Sequence, residues 1–215
     1  MVMDSGNLLS AVVVGPQSKE PKPEYLVRIR DNLCKNKDLA PFVTAITELP
    51  KLWAVLQTQN RDIATLAHGP QGLQALADWI LTGASTWICK STYGMVALPL
   101  LAIIQVAQYF EFLLDHRIRH CDIVRMAKGG AGIQGYCSGF FIAAAIATSE
   151  DERDLVQKVS NALRLSVAVG LYSDLAALND HQAQGTMVIH LKSAGQLDEI
   201  LTSFPKVCCI KGKNL

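Results

Sequence analysis

A cysteine between two glycines decides the fold of this chain, in the stretch AGIQGYCSGFFIAAAIA at residues 131–147. Cys137 follows a short apolar segment and precedes an alanine-rich run that predicts a helix. Gly135 and Gly139 stand two residues to either side, where a tight strand-to-helix turn leaves no room for a Cβ atom. The pattern therefore predicts a nucleophile elbow with an exposed thiol at Cys137.

The predicted helix start would give this thiol a reactive environment. A helix N-terminus carries partial positive charge and free backbone N–H groups, which stabilise a thiolate and can bind a developing oxyanion. Acyl transfer through Cys137 is the first hypothesis. The alternative is a small buried cysteine in a tight turn, and these five residues alone do not separate the two.

Composition indicates one sizeable core and no polyanionic partner. The chain has 215 residues, of which 50% are hydrophobic, and a formal net charge of +1. No basic stretch is dense enough to follow a phosphate backbone, so we expect no nucleic-acid partner. The cysteines show neither paired spacing nor a preceding secretory signal, which predicts reduced thiols in a cytoplasmic protein. They are Cys34, Cys89, Cys121, Cys137, Cys208 and Cys209.

The most apolar stretch, Met95 to Phe110, raises the question of a membrane span. The stretch does not reach bilayer length before it is interrupted. The interrupting residues are Pro99, Gln105 and Gln108 within it and Glu111 directly after it. We therefore expect a buried core helix and no membrane partner.

Short strand signals alternate with longer helical ones, which predicts an α/β fold. Residues 11–14 form the first predicted strand, and Gly15-Pro16-Gln17 ends it with a turn. Residues 1–10 are expected to be a disordered N-terminus. Apolar residues at helical spacing predict amphipathic helices over residues 25–33 and 73–81. The predicted apolar face of the second helix consists of Leu73, Leu76, Ala77, Ile80 and Leu81.

Breaking and capping residues predict further helix boundaries. A helix over residues 42–48 is interrupted by Pro50. Ser149 and Glu152 have the spacing of a capping box and predict a new helix, which we expect to end near Gly170.

The pattern changes after the polar loop at residues 179–185. Two strand-like segments, at residues 186–191 and 207–210, flank a helical one. We therefore predict an α/β body over residues 11–185 and the start of a smaller lobe over residues 186–215.

Four separate segments carry a specific resemblance. They are GPQ at residues 15–17, ELPKLW at 48–53, QGYCSG at 134–139 and SFP at 203–205. In this order they resemble the starter-unit acyltransferase (SAT) domain of fungal non-reducing polyketide synthases. The likeness covers residues 11–207, which makes it far more specific than the elbow alone.

The resemblance implies a fold and a reaction. The fold would be a malonyl-transacylase-like, α/β-hydrolase-like body with an incomplete ferredoxin-like small lobe. Cys137 would accept a starter acyl group from a thioester donor, acyl-coenzyme A or an acyl carrier protein, and pass it to a phosphopantetheine thiol. The backbone N–H groups of Ser138 and Gln17 would form the oxyanion hole. The resemblance implies no bound cofactor or metal, and it implies as partners an acyl carrier protein, the remaining synthase domains or a donor synthase.

One part of the family pattern is missing from this sequence. In the family the histidine that activates the nucleophile lies well downstream, beyond the small lobe, and this sequence stops at Leu215 before any such segment. The resemblance therefore leads us to expect a C-terminally truncated domain that lacks its general-base histidine.

The five histidines of the chain are weaker candidates for that role. His190 falls in a predicted strand of the small lobe, and His68 and His181 fall in polar loops. His116 and His120 have the i, i+4 spacing that can bind zinc on one helical face, but no second pair of ligands follows at a recognisable distance. An exposed helix end is the favoured interpretation of that pair.

Three functional hypotheses follow. The first is a starter-unit acyltransferase, or a part of one, that works through Cys137. The second is a catalytically inactive SAT-like remnant or interaction module without its general base. The third is a Cys-His-Asp hydrolase, which would need the same missing histidine. A histidine supplied by a partner polypeptide would separate the first hypothesis from the second.

Overall fold

The protein is a mostly helical α/β structure with a small parallel sheet. The computed structural model describes residues 11–15, 21–84, 93–130 and 132–179. The chain divides into two compact units, Met1–His181 and Gln182–Leu215, and all of the described residues belong to the first. The strands are β1 (Val12–Val14) and β2 (Ile133–Gly135). The described helices are α1 (Pro23–Lys35), α2 (Ala40–Thr47), α3 (Leu49–Gln59), α4 (Gly69–Thr82), α5 (Gly94–His116), α6 (His120–Lys128), α7 (Gly139–Thr148) and α8 (Glu152–Asn179).

The sheet brings two distant parts of the sequence together. Strands β1 and β2 are parallel neighbours, with Val12 opposite Ile133 and Val14 opposite Gly135. The sequence pattern predicts strands at residues 11–14 and 131–134, and β2 begins two residues later than predicted. Helix α7 follows β2 directly and packs on both strands. The carboxyl ends of β1 and β2 and the start of α7 therefore meet at one edge of the sheet.

Helices α5 and α8 form the main helical contact of the body. Helix α8 continues through Gly170 to Asn179, so the expectation that it ends near Gly170 is wrong. A Cβ atom at Gly170 would lie 2.2 Å from the carbonyl oxygen of Gly94 in α5. The glycine therefore permits a close approach of two helices and does not terminate one. Nearby, Asp174 accepts hydrogen bonds from the backbone N–H groups of Gly94 and Met95 at 2.8 and 3.0 Å, which caps the start of α5.

Helix α5 is the core helix that the sequence predicts. By length and composition it could cross a membrane, yet 61% of its most apolar window is buried against the rest of the protein. Pro99 lies inside the helix near its N-terminus without ending it, and the helix runs six residues beyond the predicted end, to His116. Its burial identifies it as part of a packed protein core.

Several predicted local details are confirmed and others are wrong. The buried faces of α1 and α4 are those expected, except that Leu81 is 63% exposed. Pro50 lies in the first turn of α3, so it starts a helix as well as following one. The predicted capping box is wrong, because the Ser149 hydroxyl donates to the Ala145 carbonyl and Asp151 Oδ1 accepts from the Asp154 backbone N–H at 2.8 Å.

The finer fold expectations fall outside what the structure describes. The predicted small lobe at residues 186–215 and the predicted disordered N-terminus at residues 1–10 lie outside the described residues. The likeness to a malonyl-transacylase body with a ferredoxin-like lobe therefore remains a prediction.

Candidate active site

Cys137 lies at the tip of the turn between β2 and α7 in a strained backbone conformation. Its φ angle is +53°, in the left-handed region that residues with a Cβ rarely adopt. Arg117 is the other non-glycine residue with a positive φ among the described segments. The Cys137 side chain is exposed. An exposed side chain on a strained strand-to-helix turn is the geometry by which a nucleophile elbow presents its reactive atom.

The two glycines that flank the cysteine have no space for a side chain. A Cβ atom at Gly135 would lie 2.3 Å from the Cα of Phe140. A Cβ atom at Gly139 would lie 2.2 Å from the carbonyl oxygen of Val14 in β1. Both contacts are with backbone atoms, which cannot turn away as a side-chain tip can. The tightness of the elbow thus depends on both glycines.

The first backbone N–H groups of α7 are hydrogen-bonded within the turn. The Gly139 N–H donates to the Tyr136 carbonyl and the Phe140 N–H to the Cys137 carbonyl, at 3.0 and 3.1 Å. The Ser138 N–H donates to no described residue, so it remains available to an oxyanion. Gln17, the second predicted donor, lies outside the described residues, and the convergence of the two donors remains a prediction.

Two buried polar atoms near this turn have no hydrogen-bond partner among the described residues. One is the hydroxyl oxygen of Ser138, which is 8% exposed, and the other is Oε1 of Gln105. Gln105 Nε2 donates to the carbonyl oxygen of Gly15, at the end of β1, at 2.8 Å. Sequence reasoning did not assign Gln105 to the site. The available signal was a glutamine inside an otherwise apolar helix, which served only as an argument against a membrane span.

The described histidines are engaged away from the cysteine. His68 is exposed and stacks on Tyr93, with ring centroids 5.3 Å apart. His116 is the last residue of α5 and its Nδ1 lies 3.0 Å from the Phe112 carbonyl oxygen. His120 is the first residue of α6, so the predicted shared helical face of His116 and His120 is wrong. Arg117, which follows α5 and has a positive φ angle, turns the chain between α5 and α6. No cluster of metal-binding side chains occurs in the described segments, and His181 and His190 lie outside them.

His120 forms a buried network that joins three helices. Its Nε2 lies 3.3 Å from the Ser149 carbonyl oxygen, which can only accept, so Nε2 carries the proton and Nδ1 accepts from the Tyr109 hydroxyl at 2.8 Å. The His120 backbone N–H donates to Glu152 Oε1 at 2.7 Å. Burial lowers the pKa of His120, and burial together with the charge of Glu152 raises the pKa of Tyr109. This network of a neutral imidazole, a phenol and the Glu152 carboxylate connects α5, α6 and the start of α8.

Exposed aromatic side chains flank the cysteine on both sides. Tyr136 is 58% exposed and Phe140 is 62% exposed. Apolar surface therefore lies on both sides of the exposed Cys137 thiol. The strained, exposed cysteine between crowded glycines gives this α/β protein a turn with the backbone geometry of a nucleophile elbow.

Comparison with known proteins identifies the family. A family model described as "Starter unit:ACP transacylase in aflatoxin biosynthesis" matches residues 75–211. The non-reducing polyketide synthase atr1 of Stereocaulon alpinum is 39% identical over 205 residues, which are 95% of this chain and 8% of that protein. The non-reducing polyketide synthase stbA of Stachybotrys bisbyi is 35% identical over 196 residues, 91% of this chain and 9% of that protein. The methylphloroacetophenone synthase of Cladonia uncialis is 30% identical over 200 residues, 90% of this chain and 8% of that protein.

The chain therefore belongs to the starter unit:ACP transacylase family. The family resemblance inferred from the four sequence segments is confirmed. Two of these three relatives are named as non-reducing polyketide synthases, and the chain spans 8–9% of the length of the three.

Proposed function

We propose that the chain is a starter-unit transacylase of fungal polyketide biosynthesis and that Cys137 carries the acyl group. The observation that supports this best is the left-handed backbone of Cys137 between two glycines that cannot take a Cβ atom. Strain of this kind persists only where the surrounding structure enforces it, and it is typical of reactive sites. Family membership supplies the acyl-transfer chemistry to which the strained thiol is suited.

The reaction would proceed in two balanced steps. In the first, the Cys137 sulfur attacks the carbonyl carbon of an acyl-coenzyme A or acyl carrier thioester. The new carbon–sulfur bond forms, the donor carbon–sulfur bond breaks, and the proton lost from Cys137 leaves with the donor thiol. In the second, the phosphopantetheine thiol of an acyl carrier protein attacks the acyl-cysteine and releases Cys137 as the thiol. Each step exchanges one thioester for another, so neither requires an external energy source.

Backbone N–H groups would stabilise the charge that develops on the carbonyl oxygen in both steps. The Ser138 N–H, which donates to no described residue, is the first donor, and the sequence predicts the Gln17 N–H as the second. Removing one donor of this kind typically lowers the rate by about 10²–10³-fold. The exposed rings of Tyr136 and Phe140 would contact the acyl or pantetheine portion of the substrate.

Incubation of the chain with a short acyl-coenzyme A, followed by intact-mass measurement, tests the proposal. We expect a mass increase of one acyl group that hydroxylamine removes, as it does from a thioester. The increase should be absent in Cys137→Ala and unchanged in Cys34→Ala, which removes another exposed thiol and serves as the matched control. Acylation that persists in Cys137→Ala, or no acylation of the unchanged chain, would contradict the proposal.

Transfer from Cys137 to a carrier protein should be slow in this chain. No described histidine forms a hydrogen bond with Cys137, and a positioned general acid–base typically contributes about 10²–10⁴-fold. We therefore expect slow self-acylation and inefficient delivery to a phosphopantetheinylated carrier. Rapid delivery without an added partner would contradict this expectation, and single His→Gln variants of the five histidines would then show which one acts as the base.

A further inference from the structure

Gln105 is a buried polar residue in the most apolar helix of the protein. It is 7% exposed, and its neighbours along α5, Ile104 and Val106, are both buried. Its Nε2 donates to the Gly15 carbonyl at 2.8 Å, while its Oε1 has no partner among the described residues. A buried polar atom left without a partner destabilises the folded state by about 1–3 kcal/mol. An apolar side chain at this position would avoid this penalty. The hydrogen bond that Nε2 donates to Gly15 is therefore what explains a glutamine here.

That hydrogen bond fixes the peptide through which the chain leaves β1. The next residue is Pro16, which has no backbone N–H, so the Gly15 carbonyl is the only hydrogen-bonding group of the peptide between them. Holding this carbonyl therefore holds the carboxyl end of β1 in place.

The same end of β1 lies directly against the elbow. A Cβ atom at Gly139 would lie 2.2 Å from the Val14 carbonyl oxygen and 3.2 Å from the Gly15 nitrogen. The Tyr136 N–H also donates to the Val14 carbonyl, at 2.8 Å. The backbone that Gln105 holds is therefore in contact with the turn that presents Cys137.

We propose that Gln105 is a positioning residue for acyl transfer. Its side-chain amide would hold the end of β1 against the elbow, so that the Ser138 N–H faces the carbonyl oxygen of a thioester that reacts at Cys137. This inference rests on the proposed function of Cys137 as the acyl acceptor. It adds a residue of a distant core helix to the machinery of that site.

The structure provides a matched control on the same helix. Gln108 lies one turn further along α5, is exposed, and donates through Nε2 to the Tyr25 hydroxyl at 2.6 Å. Gln108→Met therefore removes a glutamine side-chain hydrogen bond from the same helix and leaves the hydrogen bond between Gln105 and Gly15 in place. Gln105→Met removes the donor to Gly15 with a side chain of similar length, and it also removes the unpartnered Oε1 atom.

The test compares two reactions of the Cys137 thiol. Alkylation by iodoacetamide is a displacement that forms no oxyanion, whereas acylation by a short acyl-coenzyme A passes through one. We expect Gln105→Met to lower the acylation rate by about 10- to 100-fold, since misplacement near a reacting group by about 1 Å can lower a rate by about 10²-fold. Alkylation of Cys137 should change less than threefold, roughly the variation expected between folded variants with the same exposed thiol. Gln108→Met should leave both rates unchanged.

A glutamate at the same position gives a second readout. Only the protonated form of a glutamate side chain can donate a hydrogen bond to the Gly15 carbonyl. The ratio of acylation to alkylation in Gln105→Glu should therefore recover as the pH is lowered, which a purely structural role would not produce.

The outcomes separate this inference from the proposed function. Equal acylation-to-alkylation ratios in the unchanged chain and Gln105→Met would overturn the role of Gln105 and leave Cys137 as the acyl acceptor. A parallel fall of both rates, or loss of the folded state in both Gln105 variants by circular dichroism, would assign Gln105 to structure alone. No acylation of the unchanged chain would overturn both proposals.

Discussion

Replacing Gly139 by alanine tests whether the contact between the elbow and β1 controls reactivity. The added methyl group would lie 2.2 Å from the Val14 carbonyl oxygen and 2.7 Å from its carbonyl carbon. Both atoms belong to the backbone of a strand that is paired with β2, so they cannot rotate out of the way. The start of α7 and the end of β1 would have to move apart.

The size of the effect follows from that contact. Restoring a separation of 3.0 Å, below which Cβ contacts essentially do not occur, requires a displacement of about 0.8 Å. Overpacking of this kind destabilises a protein by about 1–3 kcal/mol. For a chain of this size each kcal/mol lowers the melting temperature by about 2–4 °C. A displacement of nearly 1 Å beside the reacting atoms should lower the acylation rate by about 10²-fold.

Thermal unfolding and the acylation rate of Cys137 are the two measurements. Gly129→Ala is the matched control, because its new Cβ would have no contact closer than 3.5 Å and its backbone is not left-handed. We expect Gly129→Ala to behave like the unchanged chain in both assays. If Gly139→Ala also retained its melting temperature and acylation rate, the crowded elbow would not be what positions the thiol.

Three further predictions address reactivity and stability. Limited alkylation with peptide mapping should label Cys137 before Cys34, the other described thiol that is exposed, and preferential labelling of Cys34 would contradict the elbow argument. Burial lowers the pKa of His120 in the folded protein below the ordinary value of about 6.5. The imidazole therefore binds a proton more readily in the unfolded chain than in the folded one. The free energy of unfolding should be highest above about pH 6.5 and should fall as the pH is lowered. Urea unfolding at two pH values should show a smaller loss in His120→Gln than in the unchanged chain or in the exposed control His116→Gln, whereas equal losses would rule out His120 as the source. Gly170→Ala should destabilise the protein by about 1–3 kcal/mol, because the new Cβ would meet the backbone of α5. A melting temperature equal to that of the control variant Gly129→Ala would refute this.

The sequence alone determined the local features whose causes are local. The spacing of small residues around Cys137 predicted a strand-to-helix turn, because only glycines fit where backbone atoms approach closely. The β-branched run at residues 12–14 predicted β1, and helical periodicity predicted the buried faces of α1 and α4. The four family segments were also sufficient to identify the family. Each of these depends on residue type and short-range spacing, which a sequence displays directly.

Only the tertiary structure decided the features that depend on a partner far along the chain. Gly170 read as a helix end, yet it lies inside α8 because Gly94 in α5 packs against it. His120 read as half of an exposed pair, yet it is buried against Tyr109. Gln105 read as a polar interruption, yet it holds the end of β1 from a distance of 90 residues in sequence. A glycine, a histidine or a glutamine fits several environments, and which one it occupies depends on the groups that folding brings to it.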